Sequence, residues 1–377
     1  MKKILFAAST LSHIENFHVP YLNEFKKQGY IVHIMGKPNN KSDIACADKL
    51  IPIPFEKSMF SIKNFSIAFK ISKIIKEERY DIVSIHTSLA AFFVRIGIML
   101  SLKKPNLVIN TVHGYLFDHN SSFLKRSILL LAEKFTKCVT DIIIVMNFED
   151  YDIAKKHKLY KKNIYKINGM GINLSKFPSI SHEKKLLLRE KFNFSENDFL
   201  LVYVAEFSKR KNQIFLLNSI KKLIDDGFKD IKLVLLGDGQ LFDELKKYSD
   251  ALNVTNNVFF IGYSKETCTY YQLSDLCVSA SRIEGLPFNI MEAMSVGLPI
   301  VASKVKGHTD LVMPGENGFL FEFDNIDEFC TYVKTIHKDK SLQYEMYSNS
   351  KNLVKNYSIE AVLMDTVNII LKENKPH

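Results

Sequence analysis

The chain has no CxxC pair and no regular cysteine spacing; its five cysteines, Cys46, Cys138, Cys268, Cys277 and Cys330, are an odd, scattered set. Such a set argues against a disulfide framework and for reduced thiols in a cytoplasmic protein. No uninterrupted apolar run reaches the ~18 residues that a membrane-crossing helix needs. The nearest, LAAFFVRIGIML, is broken by Arg95. The opening MKKILFAASTLSHIENF has too short an apolar part for a secretory signal, and His13 and Glu15 follow directly; it is expected to be a buried strand entering a polar loop. There is no HExxH and no Cys/His zinc spacing, although six of the eleven histidines precede residue 120. Neither a metal nor any other cofactor is therefore expected. The first loop, AASTLSHIENF, holds no glycine, which weighs against a dinucleotide fingerprint.

What is present is an ordinary globular balance: 377 residues, 46% hydrophobic and 24% charged. That length suggests two domains, each with its own core. The formal charge of +10 favours anionic partners such as a nucleotide, a phosphorylated substrate or an anionic membrane surface. The lysines are spread along the chain rather than gathered in a tail, so nucleic acid is not expected as a partner.

Short apolar, β-branched runs alternate with longer amphipathic segments. The first series is KILFAA, YIVHIM, DIVSIH, NLVINTVH and DIIIVM; the second is FLLVYVA, IKLVLLG, NVFFIG, DLCVSAS and PIVAS. Strands apolar on both faces and alternating with helices imply parallel sheets covered on both sides. The series restarts after the polar stretch at 171–185. The expectation is an α/β chain of two doubly wound domains, 1–177 and 178–357, with a ligand crevice at the carboxyl ends of their strands. A final helix at 358–377 is expected to pack back on the first domain.

The segment SRIEGLPFNIMEAMSVGLPIVAS places Glu284 in a loop leaving a strand and Glu292 about a turn and a half into the next helix. Pro287 fits the first helical turn and Gly297 its stop. The N–H groups of Gly285, Leu286 and Phe288 are expected as helix-start donors aimed into the space beside Glu284. Carboxylates accept from sugar hydroxyls and helix-start amides donate to hydroxyl or phosphate oxygens, so the arrangement suits a sugar. By spacing alone the pair is equally compatible with a solvated loop glutamate and a helix glutamate favoured by the macrodipole.

In VAEFSKRKNQ, Arg210 and Lys211 lie where a strand runs into a helix, a place for a diphosphate or for a solvated basic helix start. His113, in VINTVHGYLFD, ends a strand, and His86 and His13 are similarly placed. Each is a candidate for a crevice residue or for a satisfied structural histidine. The one Asp-x-Asp, Asp150 and Asp152, opens a helix where the dipole accounts for it without a metal. Residues 121–140, SSFLKRSILLLAEKFTKCVT, mix apolar and basic positions. A core-facing helix with a basic outer face is the favoured reading; a helix resting on an anionic membrane is the alternative.

Glu284 and Glu292 with EGLPFNIMEAMSVGLPIVAS resemble the signature of the family 4 (GT4) retaining glycosyltransferases of the GT-B fold. GDG at Gly237–Gly239, FFIGYS with Tyr263, YYQLSDLCVSAS and GMGINLSKF follow in the family's order. VHGYLF and MNFEDYDIAKK are similar to its capsule and exopolysaccharide branch. The resemblance spans the chain. It implies two Rossmann-like domains facing a cleft, with catalytic roles for His113, Lys211 and Glu284. Donor binding falls to Glu206, Arg210, Lys211, Gly237, Gly239 and Tyr263, together with Glu284, Gly285, Leu286, Pro287, Phe288 and Glu292. Glu206 stands where the family usually has arginine, and the glycine-free first loop, which holds both Ser9 and Ser12, also departs from many relatives. Ser12, His13 and His86 are the acceptor candidates.

The function implied is transfer of a hexose or N-acetylhexosamine from a nucleoside diphosphate sugar, a UDP-sugar foremost, to a lipid-linked saccharide, with retention and without a metal. The site would be cytoplasmic, with peripheral membrane contact. Alternatives are a nucleotide-sugar epimerase or hydrolase on the same scaffold, or a non-catalytic partner subunit of a transferase.

Overall fold

A computed structural model describes residues 1–38, 44–56, 61–118 and 121–375. The chain divides into two compact units, one of Met1–Gly171 with Ile359–His377 and one of Ile172–Ser358. Residues 172–177 thus belong to the second unit.

The first unit carries strands β1 (Lys3–Thr10), β2 (Ile31–Lys37), β3 (Lys49–Pro52), β4 (Ile82–His86), β5 (Leu107–Val112), β6 (Ile142–Val145) and β7 (Asn163–Lys166). They form one sheet in the order β3-β2-β1-β4-β5-β6-β7, every pair parallel. Its helices are α1 (Leu11–Phe17), α2 (Val19–Lys27), α3 (Ile62–Glu78), α4 (Ser88–Ser101), α5 (Phe123–Thr136) and α6 (Phe148–Lys156). The central strands are buried along their whole length: β4, β5 and β6 have no exposed position. β-Branched residues with both faces covered make such runs continuous rather than alternating. The chain leaves β1 toward β2 on one side and returns to β4 on the other, so the β1/β4 boundary is the topological switch point where ligand crevices open.

Arg95, which interrupts the longest apolar run, is wholly buried inside α4. Its guanidinium donates two bonds of 2.9 Å to the carboxylate oxygens of Glu133 and one of 2.7 Å to the carbonyl of Ala91. A bidentate carboxylate is what a buried guanidinium requires. The last helix of the chain, Ile359–Glu373, buries Val362, Thr366, Val367 and Ile370. Glu373 accepts from the Tyr165 hydroxyl of β7 at 2.5 Å.

The second unit contains β8 (Phe199–Val204), β9 (Ile231–Leu236), β10 (Val258–Gly262), β11 (Leu276–Ser279), β12 (Ile300–Ser303) and β13 (Gly318–Phe321). The order is β10-β9-β8-β11-β12-β13, all parallel, with the switch point between β8 and β11. Helix α7 (His182–Lys191) precedes β8, and between the strands lie α8 (Gln213–Asp225), α9 (Phe242–Ala251), α10 (Thr267–Leu273), α11 (Phe288–Val296) and α12 (His308–Leu311). Gly297 ends α11 at φ 105°, its N–H bonded to the carbonyls of Ala293 and Met294. A side chain there would also meet the Tyr347 ring at 2.3 Å. Pro287 proves to be the cap of α11, extended at φ −76° and ψ 122°, rather than part of its first turn.

Candidate active site

In the second unit, the loop after β8 and the loop after β11 meet at the switch point. Lys211 Nζ donates to Glu284 Oε1, and Arg210 Nη1 donates to Glu284 Oε2 and to the carbonyl of Ile283, each at 3.2 Å. Both Lys211 and Glu284 are buried, whereas Arg210 keeps an exposed face. Glu284 is therefore not a solvated loop residue.

Burial opposes the charge on Glu284, yet the Lys211 and Arg210 cations hold its carboxyl below the usual range. Burial likewise lowers Lys211, partly offset by Glu284. Two cations against one carboxylate leave a net positive charge, suited to a diphosphate.

The backbone beneath is pinned by buried hydroxyls. Tyr203 OH donates to the Lys211 carbonyl at 3.0 Å and so accepts from Ser281 Oγ at 2.8 Å. Asn212, the cap of α8, sits at φ 55°, a strained left-handed setting directly after Lys211. Buried His308 is held as one tautomer: Nδ1–H donates to the Ser303 carbonyl at 2.8 Å, leaving Nε2 to accept from Ser279 Oγ at 3.1 Å.

The other predicted donor residues are distributed around this core. Gly237 and Gly239 pack so closely on the loop after β8 that added Cβ atoms would fall 2.0 Å from the Ala205 carbonyl oxygen and 2.4 Å from that of Phe207. Glu206 is exposed, and its carbonyl accepts from Gln213 Nε2 at 2.8 Å. Tyr263 is 76% exposed. Phe288 begins α11, so Gly285 and Leu286 lie in the loop ahead of it rather than in its first turn. Glu292 does not join Glu284: its Oε2 accepts from Tyr271 OH at 3.0 Å, and burial raises its pKa.

In the first unit, the switch point gathers histidines. His86 ends β4, His113 follows β5, and His13 lies on α1, which leaves β1. His86 Nδ1 lies 3.1 Å from His113 Nε2, and His86 Nε2 lies 3.0 Å from Ser84 Oγ. His13 packs edge-on to His113 with ring centroids 4.8 Å apart. Thr87, directly after His86, adopts φ 67°, unusual for a β-branched residue, and its Oγ1 accepts from the Ser9 N–H at 3.0 Å. A cavity of about 340 Å³ lined by Ser9, Thr87, Asn110, His113 and Glu133 opens beside them. Burial drives His86 and His113 well below the usual histidine range and His13 to about 4, so all three are neutral at pH 7. Ser12 Oγ bonds to Thr10 Oγ1 at 3.1 Å at the start of α1.

Sequence reasoning missed a fourth histidine, His18. It lies at the break between α1 and α2 forced by Pro20, is fully buried, and packs with its ring centroid 3.9 Å from that of His86, tilted by 43°. Its distance of five residues from His13 carries no recognised motif. The strand-end rule applied to the whole β1–α2 connection would have included it.

Asp150 and Asp152 do not share a site. Asp150 is buried and accepts from the Tyr115 N–H at 3.2 Å and from Asn147 Nδ2 at 2.8 Å, while Asp152 is exposed. Helix α5 also departs from the favoured reading. Phe123, Leu124, Ile128, Leu131 and Phe135 are 45–87% exposed and only Thr136 is buried. Leu129 and Leu130 already fill the side facing the core, leaving the remaining apolar residues outward.

Two doubly wound parallel sheets, each with a polar site at its switch point, define the GT-B architecture. The HepE protein of Anabaena, solved in complex with UDP, superposes with a TM-score of 0.80 over 99% of this chain and 100% of that one, at 17% identity. Residues 184–353 match the model for glycosyl transferases group 1, and residues 3–168 that for glycosyl transferase 4-like domains. The putative glycosyltransferase EpsD of Bacillus subtilis is 30% identical over 90% of this chain and 89% of its own length. The UDP-Gal:alpha-D-GlcNAc-diphosphoundecaprenol alpha-1,3-galactosyltransferase of Escherichia coli is 30% identical over 78% and 76%. The capsular polysaccharide biosynthesis glycosyltransferase CapM of Staphylococcus aureus is 26% identical over 93% of each chain. The chain belongs to this glycosyltransferase family.

Proposed function

We propose that the protein transfers a hexose or N-acetylhexosamine from a UDP-sugar to a lipid-linked saccharide in the synthesis of a cell-surface glycan, with retention at the anomeric carbon. The observation that carries this reading is the Arg210–Lys211–Glu284 cluster at the second unit's switch point. The relatives support it: a diphosphoundecaprenol acceptor is named for one and UDP occupies another.

In this reading Arg210 and Lys211 neutralise the diphosphate as the bond from the anomeric carbon to its oxygen breaks, in place of a metal on Asp-x-Asp. Glu284 accepts from donor hydroxyls while holding the Lys211 ammonium in place. Neutral His113 orients the hexose, and His13 and Ser12 serve the acceptor. His86, expected beside the acceptor, is instead buried with both ring nitrogens engaged by Ser84 and His113, so it positions His113. The acceptor hydroxyl attacks the face the diphosphate leaves, and its proton passes to the departing phosphate oxygen.

Helix α5 adds a membrane contact. Its exposed phenylalanines and leucines with exposed Lys125, Lys134 and Lys137 match an anionic bilayer at the cytoplasmic face. Among the described residues no helix is long and apolar enough to cross a membrane.

The test is incubation of the purified protein with α-linked UDP- and GDP-sugars and a lipid-diphosphate saccharide, followed by NMR of the new linkage. An α-linked product supports the proposal, and an exclusively β-linked product ends the retaining assignment.

A further inference from the structure

The first unit's histidines have a second capacity. Ring nitrogens of His13, His18 and His113 lie within 4.8 Å of one another, the one such group of potential metal ligands among the described residues. Independently, both ring nitrogens of His18 and Nε2 of His13 are buried without a hydrogen-bond partner, and His18 has no exposed surface. A neutral imidazole always carries one N–H and one lone pair, so a fully enclosed ring with neither engaged is unusual in a native interior. A cation that takes nitrogen lone pairs engages the one lone pair of each such ring; a hard oxygen-seeking ion does not.

We propose that His13, His18 and His113 bind one borderline divalent transition-metal ion, of the zinc class, at the carboxyl ends of β1 and β5. Three imidazoles with a fourth position open to water make the usual donor set for such an ion. Nitrogens held about 2.0–2.1 Å from a tetrahedral ion are about 3.4 Å apart, so the widest pair has to close by about 1.4 Å from its present limit. His13, on the seven-residue α1 and not fully buried, is the side chain best placed to move. His86, anchored to Ser84 and bonded to His113 Nε2, restrains that ring. Spacing motifs do not reveal the trio because its members come from two connections, after β1 and after β5, that meet across the end of the intervening β4.

The binding claim stands without the transferase reading. Its consequence rests on that reading: an ion on His13 and His113 occupies groups assigned to acceptor and hexose, so metal inhibits transfer reversibly.

The experiment titrates the metal-stripped full chain with Co²⁺ and Zn²⁺, following visible ligand-field absorption and calorimetry. The expected result is one Co²⁺ per chain with an intense low-coordinate spectrum, displaced by Zn²⁺ and unaffected by Mg²⁺. His13→Ala and His18→Ala weaken it at least about tenfold, while the exposed-histidine control His182→Ala binds as the parent does. Circular dichroism establishes that each variant is folded, and His13→Ala, at the less buried position, keeps the test readable if His18→Ala is not. Absence of the Co²⁺ spectrum, or equal affinity in His13→Ala, overturns the site. If Co²⁺ binds as expected but no nucleotide sugar is consumed, the transferase reading fails and the metal site remains. Zinc inhibition of transfer, reversed by a chelator, supports both.

Discussion

Lys211 donates its ammonium to Glu284 across 73 positions of sequence, and both side chains are buried at the switch point of the second sheet. The pair ties the loop after β8 to the loop after β11. Removing either partner leaves an uncompensated charge in a low-dielectric setting, which costs about 3–5 kcal/mol. Lys211→Met and Glu284→Gln are each expected to lower urea stability by that order. The double variant should lose less than the sum of the two. Additive losses would show that the two side chains do not interact.

Tyr271→Phe probes the second carboxylate. Burial raises the pKa of Glu292 and the Tyr271 hydroxyl partly opposes this. Deleting the hydroxyl raises the pKa further, so the folded state is penalised where Glu292 is ionised. The variant should be about 1–3 kcal/mol less stable at pH 8, with the deficit shrinking as pH falls toward the ordinary glutamate value of 4.5. A deficit independent of pH would count against this account.

His308 provides a pH signature of opposite sense. Burial lowers its pKa from 6.5 to about 4, against the raising influence of Glu284, with Lys211 acting in the same direction as burial. The unfolded chain therefore takes up a proton first as pH falls. Its contribution to stability is intact above about 6.5 and is lost between there and about 4, at up to about 1.4 kcal/mol per pH unit. His308→Gln should flatten the stability curve over that window relative to the parent protein. Parallel curves would remove His308 as the cause.

Helix α5 should carry membrane binding. Co-sedimentation with phosphatidylglycerol vesicles is expected to exceed that with phosphatidylcholine and to fall with salt. Phe123→Ser with Leu131→Ser should reduce it several-fold while leaving thermal stability within about 0.5 kcal/mol, since both side chains already face outward. Equal binding by the variant would place the contact elsewhere.

All ten strands expected from apolar, β-branched runs occur; nine are central, buried on both faces and continuous in hydrophobicity, and the tenth, β10, is a sheet edge whose run is apolar all the same. The three unanticipated strands, β3, β7 and β13, are sheet edges with partly exposed residues. Half-covered four-residue strands carry no comparable signal. Helix α5 turns Leu129 and Leu130 to the core but leaves Phe123, Leu124, Ile128, Leu131 and Phe135 outward, because amphipathic content does not say whether a neighbour exists to cover every apolar face.

The sites divide in the same way. That Glu284, Arg210, Lys211, His13, His86 and His113 lie where the chain leaves the strands beside the switch points is legible in the sequence, since chain order and the strand-end rule place them there. The sequence by itself determined the alternation of strands and helices, the loops that leave each strand, and hence the residue types available at each crevice. Which of those residues touch was decided only by the tertiary structure: Glu284 pairs with Lys211 while Glu292 pairs with Tyr271, and His18 closes on the other histidines. Side-chain contacts depend on strand adjacency and on the burial that follows from it, and neither is a property of any local stretch of chain.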